Sequence, residues 1–105
     1  MTQRDVFETE RRRKADALKQ EANALEEIED AQFVLSSQEG RRFLYRLLGD
    51  CGVWRSSFNT NALAMAFSEG QRNVGLLLQA RLIKADARHF QLMLEEHDGD
   101  RPKQP

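Results

Sequence analysis

Residues 15–28, Ala15-Asp-Ala-Leu-Lys-Gln-Glu-Ala-Asn-Ala-Leu-Glu-Glu-Ile28, decide the fold class. Alanine, leucine, lysine, glutamine and glutamate dominate this stretch, and these residues lose little side-chain freedom in a helix. Leu18, Ala22, Leu25 and Ile28 recur at steps of three and four, which places them on one narrow stripe. No proline or glycine interrupts the pattern back to Arg4 or forward to Leu35. One helix is therefore expected over about residues 4–35. Upstream the stripe runs through Phe7, Arg11 and Lys14, so its apolar character fades. Long helices with a thin stripe project from a domain or pair with another chain. Leu18, Ala22, Leu25 and Ile28 are accordingly the candidate partner-binding residues.

Working outward, Ser36-Ser37 breaks the helix, and Ser36 with Glu39 has the S-x-x-E spacing of a capping box. A second helix follows through Arg41-Arg42-Phe43-Leu44-Tyr45-Arg46-Leu47-Leu48, with Phe43, Leu44, Leu47 and Leu48 as its apolar face. Gly52 suits the left-handed residue that ends a helix. Val53 to Phe58 is a connector with two large aromatics, at least one of which should plug the core. Asn59, Thr60 and Asn61 are candidate caps for a third helix over about residues 62–84. Asp86 can cap a fourth through Phe90, Leu92, Met93 and Leu94. The only prolines are Pro102 and Pro105, and no segment alternates as a strand would. The expected fold is all-α: a charged helical arm over 1–35, a compact helical unit over 36–97 with a core of about three helices, and a disordered polar tail over 98–105.

Length and composition set the outer bounds. A chain of 105 residues holds one small domain. Charged residues make up 31%, above the usual share of about 25%, which fits a chain with much of its length in water. Sixteen basic against seventeen acidic residues argue against a wholly basic nucleic-acid binder but leave room for a local patch. One cysteine makes no internal disulfide, and no apolar run reaches the ~18 residues of a membrane span. The acidic, apolar-poor beginning is not expected to be a secretory signal. Residues 1–30 carry six basic and nine acidic side chains, the remainder ten and eight, so the two parts can attract each other or a neighbouring copy.

Few residues invite a chemical reading. Nothing pairs Cys51 or a serine with His89 or His97 as nucleophile and base. The two histidines, eight apart, would be separated by roughly 12 Å of helical rise, too far for one metal ion. No catalytic residue, metal ligand or cofactor is expected, and both histidines read as surface residues. Gly70 and Gly75 resemble a fragment of a phosphate loop, yet the Gly-Lys-Ser/Thr ending and a preceding strand are missing. Two glycines inside a helix each cost about 1 kcal/mol against alanine and call for close packing. Arg72 between them has a five-donor guanidinium suited to the free carbonyls of a neighbouring helix end. Gly70 and Gly75 lie about 140° apart around the axis, and Arg72 is expected on the far side from both. Gly70, Arg72 and Gly75 are therefore expected to form a packing node that surrounds the helix. Arg11, Arg12, Arg13 and Lys14 could contact phosphates, together with Arg41 and Arg42. Consecutive helical residues point all round the axis, however, and Glu8, Glu10 and Asp16 flank them. Contact with nucleic acid is the less favoured use of this run.

Three pieces of the sequence carry a family resemblance. They are Gly40-Arg41-Arg42 with Leu47-Leu48, Cys51-Gly52-Val53-Trp54 with Ser57-Phe58, and Phe67-Ser-Glu69-Gly70-Gln71-Arg72-Asn73-Val74-Gly75. Their order and spacing over about residues 39–96 resemble the Bbp-nineteen-like phage domain, a small family of tailed-bacteriophage proteins named from a Bordetella podophage. The resemblance implies a compact helical phage module with no known enzymatic activity, cofactor or catalytic residue. It also implies a structural or assembly role in the virion or in the host cytoplasm. Expected partners are other virion proteins, with a homo-oligomer or a constitutive protein partner. The first helix lies outside the resemblance.

Overall fold

The computed structural model describes residues 2–100. Three helices, α1 (Gln3–Leu35), α2 (Gln38–Asp50) and α3 (Ala62–Glu96), are followed by one 3-10 turn at Asp98–Asp100. The described residues contain no strand, and the long N-terminal helix is present. Of the expected tail, residues 98–100 form this exposed turn, and 101–105 lie outside the described residues.

Helix ends follow local chemistry. Thr2 and Asp5 form a capping box at the start of α1, each side chain meeting the other's backbone amide. The start of α2 corrects the sequence expectation by one residue. Ser37 is the cap, accepting from the Gly40 amide at 3.0 Å, whereas the Ser36 hydroxyl turns back to donate to the Phe33 carbonyl. That arrangement closes α1 and opens α2 within two residues. α2 ends in a Schellman motif. Gly52 sits at φ +84°, its amide donates to the Gly49 carbonyl, and the Val53 amide donates to the Leu48 carbonyl. Leu48 and Val53, brought together by this turn, are both buried.

Of the three candidate caps for α3, Asn61 is the one used, accepting from the Ala64 amide at 3.0 Å. The expected third and fourth helices are two arms of a single kinked α3. Asp86 adopts an extended φ/ψ of −162° and 84°, and its carboxylate accepts from the His89 amide at 3.0 Å. It caps the second arm as expected, without a loop.

The core is formed by Leu35 of α1, Leu44, Tyr45 and Leu48 of α2, Val53 of the connector, and Leu82, Phe90 and Met93 of α3. It occupies the junction where the end of α1 meets α2 and both arms of α3. Residues 3–27 of α1 are exposed throughout. The radius of gyration, 19.9 Å, exceeds the ~13 Å expected of a globule of this length. The long dimension, 65 Å, reflects two helices that outrun the core.

Candidate functional site

The buried chemistry of the molecule is structural, and it determines which side chains are free to meet partners. Arg41, 8% exposed, clasps three elements. Its Nε donates to Glu96 Oε1 at 2.6 Å and its Nη2 to Glu96 Oε2 at 3.2 Å, a two-pronged pair joining α2 to the end of α3. Its Nη1 donates to the Leu35 carbonyl at 2.8 Å, satisfying the C-terminal end of α1. Donation by Arg41 holds the Glu96 carboxyl below its ordinary range, and the same bond pushes the Arg41 guanidinium up. Arg41 is thus unavailable to phosphates, which corrects the expectation that it helps a basic patch.

The kink is stitched similarly. Breaking the helical ladder at Asp86 frees the Ala85 carbonyl, and Gln32 of α1 donates to it at 2.9 Å. His89 Nδ1 pairs with Asp86 Oδ2 at 2.6 Å. The Asp86 carboxyl is held low, chiefly by the His89 backbone amide and then by the His89 ring. The connector supplies Trp54, stacked on Tyr45 with centroids 5.2 Å apart; on its other side Tyr45 stacks on His97 at 4.2 Å. Trp54 is therefore the aromatic that packs, while Phe58 stays exposed. Both histidines are engaged: His97 Nδ1 donates to the Met93 carbonyl at 2.9 Å.

The expected node separates into two faces. A Cβ on Gly75 would lie 2.5 Å from Val53 Cγ2 and 2.7 Å from Cys51 Cβ, so the connector sits directly on this glycine. Arg72, three residues and hence about 60° away, shares this inward face. Its Nε is shielded yet has no hydrogen-bond partner, so it does not tie α3 to the end of α2. Arg41 performs that kind of task instead. Gly70 has nothing within 4 Å of where a Cβ would sit. Close packing within the chain is not what places a glycine there, and the three residues do not surround the helix as a node.

Gly70 lies in the middle of an apolar stripe. Leu63, Phe67, Gly70, Val74 and Leu77 follow steps of four and three, within about 80° around the axis. The four apolar side chains are exposed, Leu63 at 84%. From Ala62 to Ala80 the charged residues are Glu69 and Arg72, both on the other side of the helix, and Glu69 accepts from the Ser57 hydroxyl of the connector. The first arm of α3 is thus apolar on its open face, while Arg72 lies on the covered one.

α1 presents the second open face. Leu18 (67%), Ala22 and Leu25 (61%) are all exposed. Ile28 departs from them: it is half-buried and lines a groove of about 420 Å³ between α1, α2 and α3 with Ala31, Val34, Leu44, Leu78 and Leu82. Arg81 and Glu27, paired at 3.4 Å, stand at the rim of that groove. Arg11, Arg12, Arg13 and Lys14 are exposed and, being consecutive, splay around the helix without forming one patch.

A family model described as Bbp19-like phage protein matches residues 31–94. That is 64 of 105 residues. The chain belongs to the Bbp19-like phage protein family. No curated protein and no solved structure matches it. The family segment begins in the last turns of α1 and ends two residues before Glu96, so it coincides with the core of this Bbp19-like protein. The exposed part of α1 lies outside it. No helix among the described residues is long and apolar enough to cross a membrane.

Sequence reasoning missed the Arg41–Glu96 clasp because its members lie 55 residues apart. It also missed the open stripe of α3. The 4-3-4-3 spacing from Leu63 to Leu77 was a signal for that stripe, but its residues are assigned to a core unless the burial of the opposite face is known.

Proposed function

We propose that this Bbp19-like phage protein is a structural or assembly component of a tailed bacteriophage, acting through protein–protein contact and without a catalytic step. The observation that supports this reading is the open apolar surface of α1 and of the first arm of α3. Burying one leucine or phenylalanine side chain is worth about 1.5–3 kcal/mol, so these stripes leave a large driving force unspent within the isolated chain. Exposed contiguous apolar surface on a small domain marks an interaction site. The clasped core holds the two stripes on rigid helices, which suits a component that joins other virion proteins at the portal, the head–tail junction or the internal core. It would reside in the virion or, before assembly, in the host cytoplasm.

Mass spectrometry of purified particles tests the proposal. The expected result is a fixed copy number per particle, or a fixed ratio in assembly intermediates. Absence from both would refute it. The rival reading, nucleic-acid binding through Arg11 to Lys14, predicts an affinity that falls steeply between 50 and 200 mM salt. The splayed geometry of these residues and the burial of Arg41 count against it.

A further inference from the structure

The charges of α1 are arranged in blocks. Residues 11–20 carry five basic side chains and one acid, and residues 21–30 carry five acids and no base. A foreign partner of either sign would satisfy one block and repel the other. A parallel copy would set like charge on like charge. An antiparallel copy places each block against its opposite.

The apolar stripe has the same symmetry. Phe7, Leu18, Ala22, Leu25 and Phe33 fall within about 80° around the helix. All are exposed, Phe33 at 79%. Ala31 and Leu35, which meet the core, lie about 120–160° away on the far side. A second helix can therefore run along the whole stripe without meeting its own chain's core.

We propose that the stripe of α1 pairs antiparallel with the same stripe of a second copy of this chain, about a two-fold axis near residue 20. This rests on the protein-contact reading above and names the partner. Residues whose numbers add to about 40 then lie opposite, as an isologous two-fold interface requires. Leu18 stands opposite Ala22 of the second copy and Ala15 opposite Leu25, a large residue against a small one in each layer. Arg11 stands opposite Glu29. Phe7 stands opposite Phe33, closing each end of the contact with an aromatic pair. The sequence that looks like a fading stripe in one chain becomes complete in two.

The test is directional cross-linking of the full chain with Cys51→Ser as background. Chains bearing Ala15→Cys alone, and Leu25→Cys alone, should not link to themselves, because each cysteine lies about 15 Å along the axis from its own copy. That exceeds the ~7 Å Cα separation a disulfide tolerates. An equal mixture of the two should form the mixed disulfide readily. Light scattering of the parent should give about twice 12.1 kDa. Glu21→Lys, Glu26→Lys and Glu29→Lys together should weaken pairing at least tenfold at low salt. Mixing that chain with one bearing Arg11→Glu, Arg12→Glu and Arg13→Glu should restore a mixed dimer. Self-linking of the Ala15→Cys chain would show a parallel pair and overturn the proposal. So would a monomeric mass with no link in any mixture. Particle mass spectrometry is independent of both. A monomer found in particles would sink the self-pairing and keep the protein-contact reading, and a dimer absent from particles and assembly intermediates would do the reverse.

Discussion

Removing Arg41 should be among the most damaging single changes in this protein, and the structure sets the scale. Arg41 is 8% exposed, and its guanidinium makes two bonds to Glu96 and one to the Leu35 carbonyl. Arg41→Met keeps most of the aliphatic volume but strands the Glu96 carboxylate, whose side chain is 18% exposed, and orphans the end of α1. Breaking a buried pair from one side costs about 3–5 kcal/mol. Glu96→Leu should cost about 3 kcal/mol, since the guanidinium keeps one carbonyl partner. The double variant replaces the pair by apolar groups, which is often close to neutral, so its cost should be about 1–2 kcal/mol. The coupling between the two sites is then about 4–7 kcal/mol. Urea denaturation followed by helical circular dichroism, at one fixed chain concentration because association is linked to stability, gives all three values. A coupling below about 1 kcal/mol, the range of exposed pairs, would refute the view that this clasp joins the three helices.

Acid should destabilise the fold through Glu96 and Asp86. Both carboxyls are held below their ordinary values of 4.5 and 3.8, so the unfolded chain takes up protons before the folded one does. This stabilisation is fully present above about pH 5 and is lost as pH falls through the folded-state values. Glu96→Gln should flatten that acid limb in denaturation curves taken between pH 3 and 6, and an unchanged slope would contradict the assignment. The glycines should behave oppositely to one another under the same denaturation assay. Gly75→Ala forces a Cβ onto Val53 and Cys51 and should cost about 1–3 kcal/mol. Gly70→Ala meets open space and should stabilise the chain by up to about 1 kcal/mol through helix propensity. Gly40→Ala drives its Cβ into the Val34 carbonyl, which is backbone and cannot rotate away, and should cost more than Gly75→Ala. Equal effects at Gly70 and Gly75 would refute the two-faced reading of α3.

Local signals determined much of this protein. Helix propensity and the absence of proline gave the all-α class and the extent of α1. Gly52, Asn61 and Asp86 announced their turns because capping is a transaction between residues two to five apart, all visible in one window. The three motif pieces carried the family. The choice between Ser36 and Ser37 as cap was closer to the limit, since both hydroxyls can serve and only the path of α1 into α2 selects one.

What the sequence could not decide is which apolar residues would find neighbours. Leu63, Phe67, Val74 and Leu77 are as hydrophobic as Leu82, Phe90 and Met93, but the path of α3 past the other elements covers the second set and leaves the first exposed. Gly70 and Gly75 look alike in the chain and differ entirely in space, because five residues rotate a helix by about 140° and only one side has the connector against it. Arg41 reads as one more cation in a basic pair, and its role appears only when Leu35 and Glu96 arrive from elements 6 and 55 residues away. Periodicity states which residues share a face. Tertiary structure alone states what that face meets, because contact between distant segments depends on the path of the whole chain.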